Sequence, residues 1–232
     1  MRNTVPLITT GDYATAGEMD TATRQEISFD DYVIVSCGTM VEELHYLRES
    51  GFLDARKVLF TAPGLHENQK ELERQLTKQL ANAARYAHKS IIVYGERCFL
   101  DPSNPYRDID ALLEEKAPGA TRVRARSCID MLADEQERNV ISEGSKVYWL
   151  SPGWLTHWKK IFQGWDAAKA NETFPMHDKA ILLDPVGIFE QYSADRPEDI
   201  LIFADWMGLE IQFYPISLDR FKSLLLQSIS SQ

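Results

Sequence analysis

The sequence lacks long apolar runs and has only three cysteines among its 232 residues. A membrane-spanning helix needs about 18 or more consecutive apolar residues, so we expect no membrane partner. The polar N-terminus has no apolar segment of the kind that a signal peptide carries. An odd number of widely spaced cysteines is also unlike the disulfide framework of a secreted protein. These absences favour a cytoplasmic location.

Positive charge is scarce as well. The chain has 25 Lys and Arg against 35 Asp and Glu, which gives a net charge of −10. Nucleic-acid-binding domains usually present a basic face, so we expect no nucleic-acid partner. The sequence contains no glycine-rich dinucleotide motif, no phosphate-binding loop and no Gly-x-Ser-x-Gly motif. It therefore identifies no reaction, and it does not decide whether the protein is an enzyme.

Short apolar runs alternate with amphipathic stretches along residues 28–232. Residues 91–94 are apolar without alternation, which is typical of a strand buried on both faces of a parallel sheet. Strands are predicted at seven places: residues 30–36, 57–61, 91–94, 121–125, 147–150, 180–183 and 210–214. This order predicts a single α/β domain, a doubly wound, mostly parallel sheet flanked by helices in a Rossmann-like three-layer arrangement. Residues 1–27 are predicted to form an N-terminal arm.

Two local predictions accompany this assignment. The prolines within residues 101–107 predict a loop after the third strand. Thr39, with Glu42 three residues later, predicts the N-terminal cap of the first helix.

Three thiols and one imidazole follow the first four predicted strands: Cys37, His66, Cys98 and Cys128. They recur at intervals of roughly 30 residues, the length of one strand with its crossover helix. Parallel strands place such positions on one edge of the sheet, where α/β proteins bind ligands. This donor set predicts a metal site, with zinc the best match and an iron–sulfur cluster the alternative.

Four further residues are candidates for contact with a small molecule or cofactor. Arg97 and Arg126 lie next to predicted metal ligands and favour an anionic ligand. Trp154 and His157 follow the fifth strand on a predicted helix and could line a cofactor cleft, although such a helix face more often belongs to the core.

Arg122 and Arg124 alternate with Arg126 and are expected to share its face of the fourth strand. That face is either a solvated edge or, together with Arg97, an anion-binding pocket.

Five short motifs occur in a fixed order: Cys37-Gly38, Leu65-His66, Tyr94-Gly-Glu-Arg-Cys98, Ser127-Cys128-Ile129 and Val147-Tyr-Trp-Leu-Ser151. With them the chain resembles the domain-of-unknown-function 1638 family over about residues 30–215. The resemblance brings no defined activity. Its members are similar to proteins found beside corrinoid-dependent methyltransferases, which implies one-carbon metabolism, and a methyltransferase or corrinoid protein as partner, by association only.

Three hypotheses follow from these observations. The first is a metal-binding α/β protein with a Cys3His site at the strand carboxyl ends, which binds or transforms a small molecule or cofactor. The second is a non-catalytic accessory protein of corrinoid-dependent methyl transfer, with a corrinoid in contact with the same edge. The third is an interaction protein whose cysteines only pack in the core, because free cysteine is often simply buried.

Overall fold

Parallel strands form two sheets in this protein. The structure, a computed structural model, describes residues 28–230. Its strands in chain order are β1 (Tyr32–Ser36), β2 (Lys57–Phe60), β3 (Lys89–Val93), β4 (Leu100–Asp101), β5 (Asn104–Asp108), β6 (Thr121–Arg122), β7 (Val147–Leu150), β8 (Lys179–Asp184) and β9 (Ile211–Pro215). The first sheet has the order β2-β1-β3-β6 and the second has the order β7-β8-β9, and both are parallel. The pair β4 and β5 forms a small antiparallel hairpin.

Helices connect the parallel strands and cover the sheets. They are α1 (Val41–Glu49), α2 (Gln69–Ala83), α3 (Ile109–Lys116), α4 (Cys128–Leu132), α5 (Glu135–Ser142), α6 (Pro152–Ile161), α7 (Ala167–Thr173), α8 (Ile188–Asp195), α9 (Pro197–Met207) and α10 (Asp219–Ser230). The sequence specifies their ends locally. Asn68 caps α2 by accepting a hydrogen bond from the backbone N–H of Glu71, and Gly208 ends α9 in the left-handed conformation.

The first sheet is buried on both faces, which explains its continuous apolar strands. Val33 and Val35 belong to a cluster with the leucines of α2 and α3. Ile34 and Ile91, on the opposite face, belong to a second cluster with α1, α4 and α10. That cluster also contains Ile181 of β8, so one apolar core is shared by the two sheets.

The other face of the second sheet has its own core. Its cluster joins residues of β7 and β8 to an aromatic group on the flanking helices and the segments between them, which comprises Trp154, Phe162, Phe174, Tyr192 and Phe203. Helices therefore cover both sheets, and the predicted α/β class with mostly parallel strands is confirmed. Within residues 28–230, no helix is long and apolar enough to cross a membrane. The predicted arm lies outside the described residues.

Two local predictions were wrong. The segment 101–107 contributes to the hairpin of β4 and β5 instead of forming a loop. Pro105 is tolerated there because an edge strand does not need every backbone N–H for pairing. Thr39 does not cap the first helix, since α1 begins at Val41 without a side-chain cap. The Thr39 hydroxyl donates to the Cys37 sulfur instead, at 3.2 Å.

The expected common face of the arginines was also wrong, because strand β6 already ends at Arg122. The Arg122 guanidinium is buried and donates to both carboxylate oxygens of Asp110, at 2.6 and 2.7 Å. It also donates to the backbone oxygens of Tyr94 (3.2 Å) and Val123 (3.0 Å). Arg124 keeps 77% of its side chain exposed. Arg122 therefore stabilises the fold by holding β6 against α3 and the end of β3.

We predict that Arg122→Met lowers the free energy of unfolding by about 2–3 kcal/mol, because buried carbonyl oxygens lose their donor and Asp110 loses its two hydrogen bonds from Arg122 and keeps only the exposed Arg124 at 3.9 Å. The loss stays below that of a fully buried ion pair because Asp110 is half exposed and can turn to water. Arg124→Met is the matched control and should change the free energy of unfolding by less than about 0.5 kcal/mol. Urea unfolding measures both variants, and an equal effect in the two would contradict this role of Arg122.

Candidate functional site

The four residues predicted as metal ligands lie beyond the carboxyl ends of the four strands of the first sheet. Cys37 directly follows β1, and Cys98 ends a short 3-10 turn after β3. Cys128 opens α4 after β6, and His66 lies in a 3-10 turn after β2. Because the strands are parallel, all four positions occur on the same edge. The predicted common register is therefore present.

The three thiols are close enough to influence one another's ionisation. Burial raises the pKa of Cys98 well above its usual range, and the neighbouring Cys128 and Cys37 raise it further. Burial also raises the pKa of Cys128 to about 12, and Cys37 adds to the shift. Each cysteine is partly exposed as a residue. The sulfur atoms of Cys98 and Cys128, however, are surrounded mainly by protein and not by water. Both thiols are therefore protonated at neutral pH.

His66 lies at the periphery of this group. Its side chain is 39% exposed, and its Nε2 is 3.8 Å from a carboxylate oxygen of Glu67. Its ring centroid is 5.8 Å from that of Trp154. Partial burial lowers the pKa of His66, while the negative charge of Glu67 opposes that shift. The imidazole is thus neutral at pH 7 and open to water on one side.

Trp154 connects the second sheet to the thiols. It is 8% exposed and lies in the first turn of α6, after β7. Its indole N–H favours the ionised form of Cys128, which partly offsets the rise in that pKa. Yet Nε1 has no hydrogen-bond partner among the described residues. The contact with the sulfur is therefore an electrostatic interaction and not a formed hydrogen bond.

Two glycines let the backbone segments at this edge meet directly. A Cβ atom at Gly153 would collide with the backbone oxygen of Thr39. A Cβ atom at Gly95 would lie 2.5 Å from backbone atoms of Ser127. Both approaches are too close for any side chain. Glycine at these positions brings α6 onto the turn after Cys37, and the turn before Cys98 onto the start of α4.

Glu43 is a functional candidate that the sequence reasoning missed. It is fully buried in α1, and neither carboxylate oxygen has a hydrogen-bond partner among the described residues. Burial raises its pKa to about 8; its own backbone N–H opposes this shift, and Glu42 and Asp184 add smaller increases. Glu43 in turn raises the pKa of Cys128, so the two groups are near enough to interact electrostatically. One sequence signal was available: position 43 lies on the same helical stripe as Met40 and Leu47.

The two arginines predicted to contact a small molecule or cofactor lie close together, but one of them is already paired. The Arg97 backbone N–H donates to the backbone oxygen of Arg126 at 3.2 Å, so the two arginines are neighbours. The Arg126 guanidinium, however, pairs with Glu135 at 3.2 Å and lies 3.7 Å from Glu96. These carboxylates compete with any anion at Arg126.

The groups that act on the pKa of His157 are not the thiols beside which Trp154 lies. Partial burial lowers the pKa of His157, and the nearby charges that affect it are Glu42 and Lys160. The structure therefore brings Trp154 to Cys128, whereas the charges that act on His157 are those of Glu42 and Lys160. In the part of the chain that the structure describes, no three His, Cys, Asp or Glu side chains are grouped so as to hold a metal ion.

Glu43 makes the stability of the metal-free protein depend on pH. The carboxyl ionises near pH 4.5 when unfolded and near pH 8 when folded, so the folded state holds one more proton between these values. The free energy of unfolding should therefore fall by roughly 1 kcal/mol per pH unit as the pH rises from about 5 to 8. Glu43→Gln should remove this slope, whereas Glu42→Gln, which changes the adjacent half-buried residue, should keep it. Urea titrations with a chelator present test this, and equal slopes in wild type and Glu43→Gln would contradict it.

Comparisons with known proteins identify a family but no characterised relative. No curated protein and no solved structure matched the chain. A family model described as "protein of unknown function (DUF1638)" matches residues 60–225, which is more than half of the chain and includes His66, Cys98, Cys128 and Trp154. Because the match covers more than half of the chain, including strands β3 to β9, the chain belongs to the DUF1638 family.

Proposed function

We propose that this protein binds a thiophilic metal ion, zinc foremost, through Cys37, Cys98 and Cys128. The observation that supports the proposal is that three partly buried thiols lie at one edge of the first sheet, where Cys37 disfavours the ionisation of Cys98 and Cys128, and Cys128 also disfavours that of Cys98. Without a cation, these two thiols keep their protons at neutral pH. A divalent metal ion would replace the protons, and each thiolate would then be attracted to the shared cation.

Metal binding requires the side chains to adjust. Zinc–sulfur bonds are about 2.3 Å long, so the sulfurs must approach one another closely around the ion. A cysteine has one side-chain torsion, and its staggered rotamers offer distinct sulfur positions without backbone movement. The backbone positions are already held by the strand ends and by Gly95 and Gly153. We therefore expect rotation of the thiols, not rearrangement of the fold, when metal binds.

The fourth ligand predicted from the sequence is His66, and an iron–sulfur cluster is the alternative occupant for the same thiols. Arg97 is the better candidate for an anionic ligand beside the metal, because Arg126 already pairs with Glu135. A role in one-carbon metabolism, with a corrinoid or a methyltransferase as partner, stays a prediction from family resemblance.

The fold should not depend on the metal. Three apolar clusters fill the described chain, and only the partly buried edges of two of them include cysteines. Small zinc domains unfold without metal because they have no comparable core. In this protein we expect the metal to serve a function at the sheet edge. One coordination position there could open to a small molecule.

We predict that wild-type protein prepared without oxygen holds about one equivalent of zinc, and that Cys98→Ser loses most of it while its circular dichroism is unchanged. His88→Ala is the control, because His88 is exposed and directly precedes β3, at the amino end of that strand; it should retain the metal. Metal analysis and the visible spectrum distinguish colourless zinc from an iron–sulfur cluster or a corrinoid.

Two results would contradict this proposal. Wild-type protein that takes up no metal after reconstitution would leave the cysteines as core residues only. If the metal-free protein is unfolded, the fold depends on the metal and the site is structural.

A further inference from the structure

We propose that the Glu43 carboxylate, and not the His66 imidazole, completes the metal site with the three thiols. This inference rests on the metal binding proposed above and deepens it. It starts from the environment of Glu43, a residue that belongs to none of the sequence motifs.

Glu43 is a fully buried acid that no neighbouring cation or side-chain donor compensates among the described residues. Its own backbone N–H favours the ionised form but makes no formed hydrogen bond to either oxygen, and the other charges that act on the carboxyl are Glu42 and Asp184, both acidic. Its influence extends to Cys128, a third acidic group. Burying an unpaired carboxyl costs several kcal/mol, and buried charges are ordinarily paired or bound to a metal. Such a site is relieved by a cation.

The neighbouring acids differ from Glu43 in having partners. Asp184 accepts hydrogen bonds from the backbone N–H groups of Ile188 (2.9 Å) and Phe189 (3.0 Å). Glu42 accepts one from the Thr156 hydroxyl at 3.3 Å. Glu43 is thus the acid in this group whose oxygens are left over, and it is the one whose charge reaches Cys128.

His66 is less well placed to be the fourth ligand. Its imidazole is 39% exposed and is within 3.8 Å of the Glu67 carboxylate. It contacts the Trp154 ring, and Trp154 in turn neighbours Cys128. The indole N–H of Trp154 has no hydrogen-bond partner within residues 28–230 and can donate to a metal-bound thiolate, as outer-shell groups commonly do. His66 then lies on the solvent side of the site, beside its entrance.

The donor set of three thiolates and one carboxylate suits zinc, which accepts cysteine sulfur and Asp or Glu oxygen in tetrahedral sites. Its excess negative charge is moderated by the Trp154 N–H. The set also predicts that zinc binding releases protons, because thiols and the carboxyl must all be deprotonated.

The first test is zinc X-ray absorption of the wild-type protein loaded with zinc. We expect sulfur and oxygen scattering without the outer-shell pattern of an imidazole. An imidazole pattern would overturn the assignment of Glu43 in favour of His66. A wild-type protein that binds no zinc would instead defeat the proposed function, so the two failures are distinguishable.

The second test compares zinc affinity in Glu43→Gln, His66→Ala and Glu42→Gln by competition with a chromophoric chelator. Glu43→Gln should weaken binding at least about tenfold, whereas the other two should bind as wild type does. Undiminished binding in Glu43→Gln, or equal losses in all three variants, would overturn the inference. Circular dichroism of metal-free Glu43→Gln controls for folding, which we expect to be retained because the substitution removes an unpaired acid.

Discussion

The direct backbone contact between Gly153 and Thr39 is the constraint on which the rest of the site depends. Thr39 lies two residues after Cys37 at the end of β1, and Gly153 lies in the first turn of α6 after β7. Because no side chain separates the two segments, the carboxyl end of the second sheet lies on that of the first. Ser151 strengthens the contact by placing its hydroxyl 3.5 Å from the Thr39 backbone oxygen. This contact between the two segments places the Trp154 indole near Cys128.

This contact also explains why Glu43 is buried. Helix α1 begins two residues after Thr39, so its first turn lies beneath α6. A glutamate in the first turn of a helix is ordinarily favourable at the surface, where water and the helix dipole stabilise its charge. Here the covering helix removes the water and supplies no donor. The acid is left with Cys128 as a neighbour, and in this poorly solvated place each of the two groups disfavours ionisation.

Electrostatics therefore gives the edge of the first sheet its chemical character. Arginines are present nearby, but Arg122 and Arg126 are already paired with Asp110 and Glu135. Arg122 favours the ionised form of Cys98 only weakly, and burial outweighs this effect. Acidic groups that disfavour one another's ionisation, on backbone fixed by glycines, suit a cation better than an anion. The proposed metal ion therefore matches this edge of the sheet better than an anionic cofactor does.

The sequence by itself determined the α/β class, most strand positions and the common register of Cys37, His66, Cys98 and Cys128. Apolar runs and the βα interval are local signals, and parallel strands convert them into shared edges. The sequence could not determine that the strands divide into two sheets, or that Gly153 meets Thr39, because these depend on contacts between residues more than 100 positions apart. Only the tertiary structure decided the environment of Glu43 and His66. Burial depends on what covers a residue, and in the case of Glu43 the cover is a helix from the other sheet.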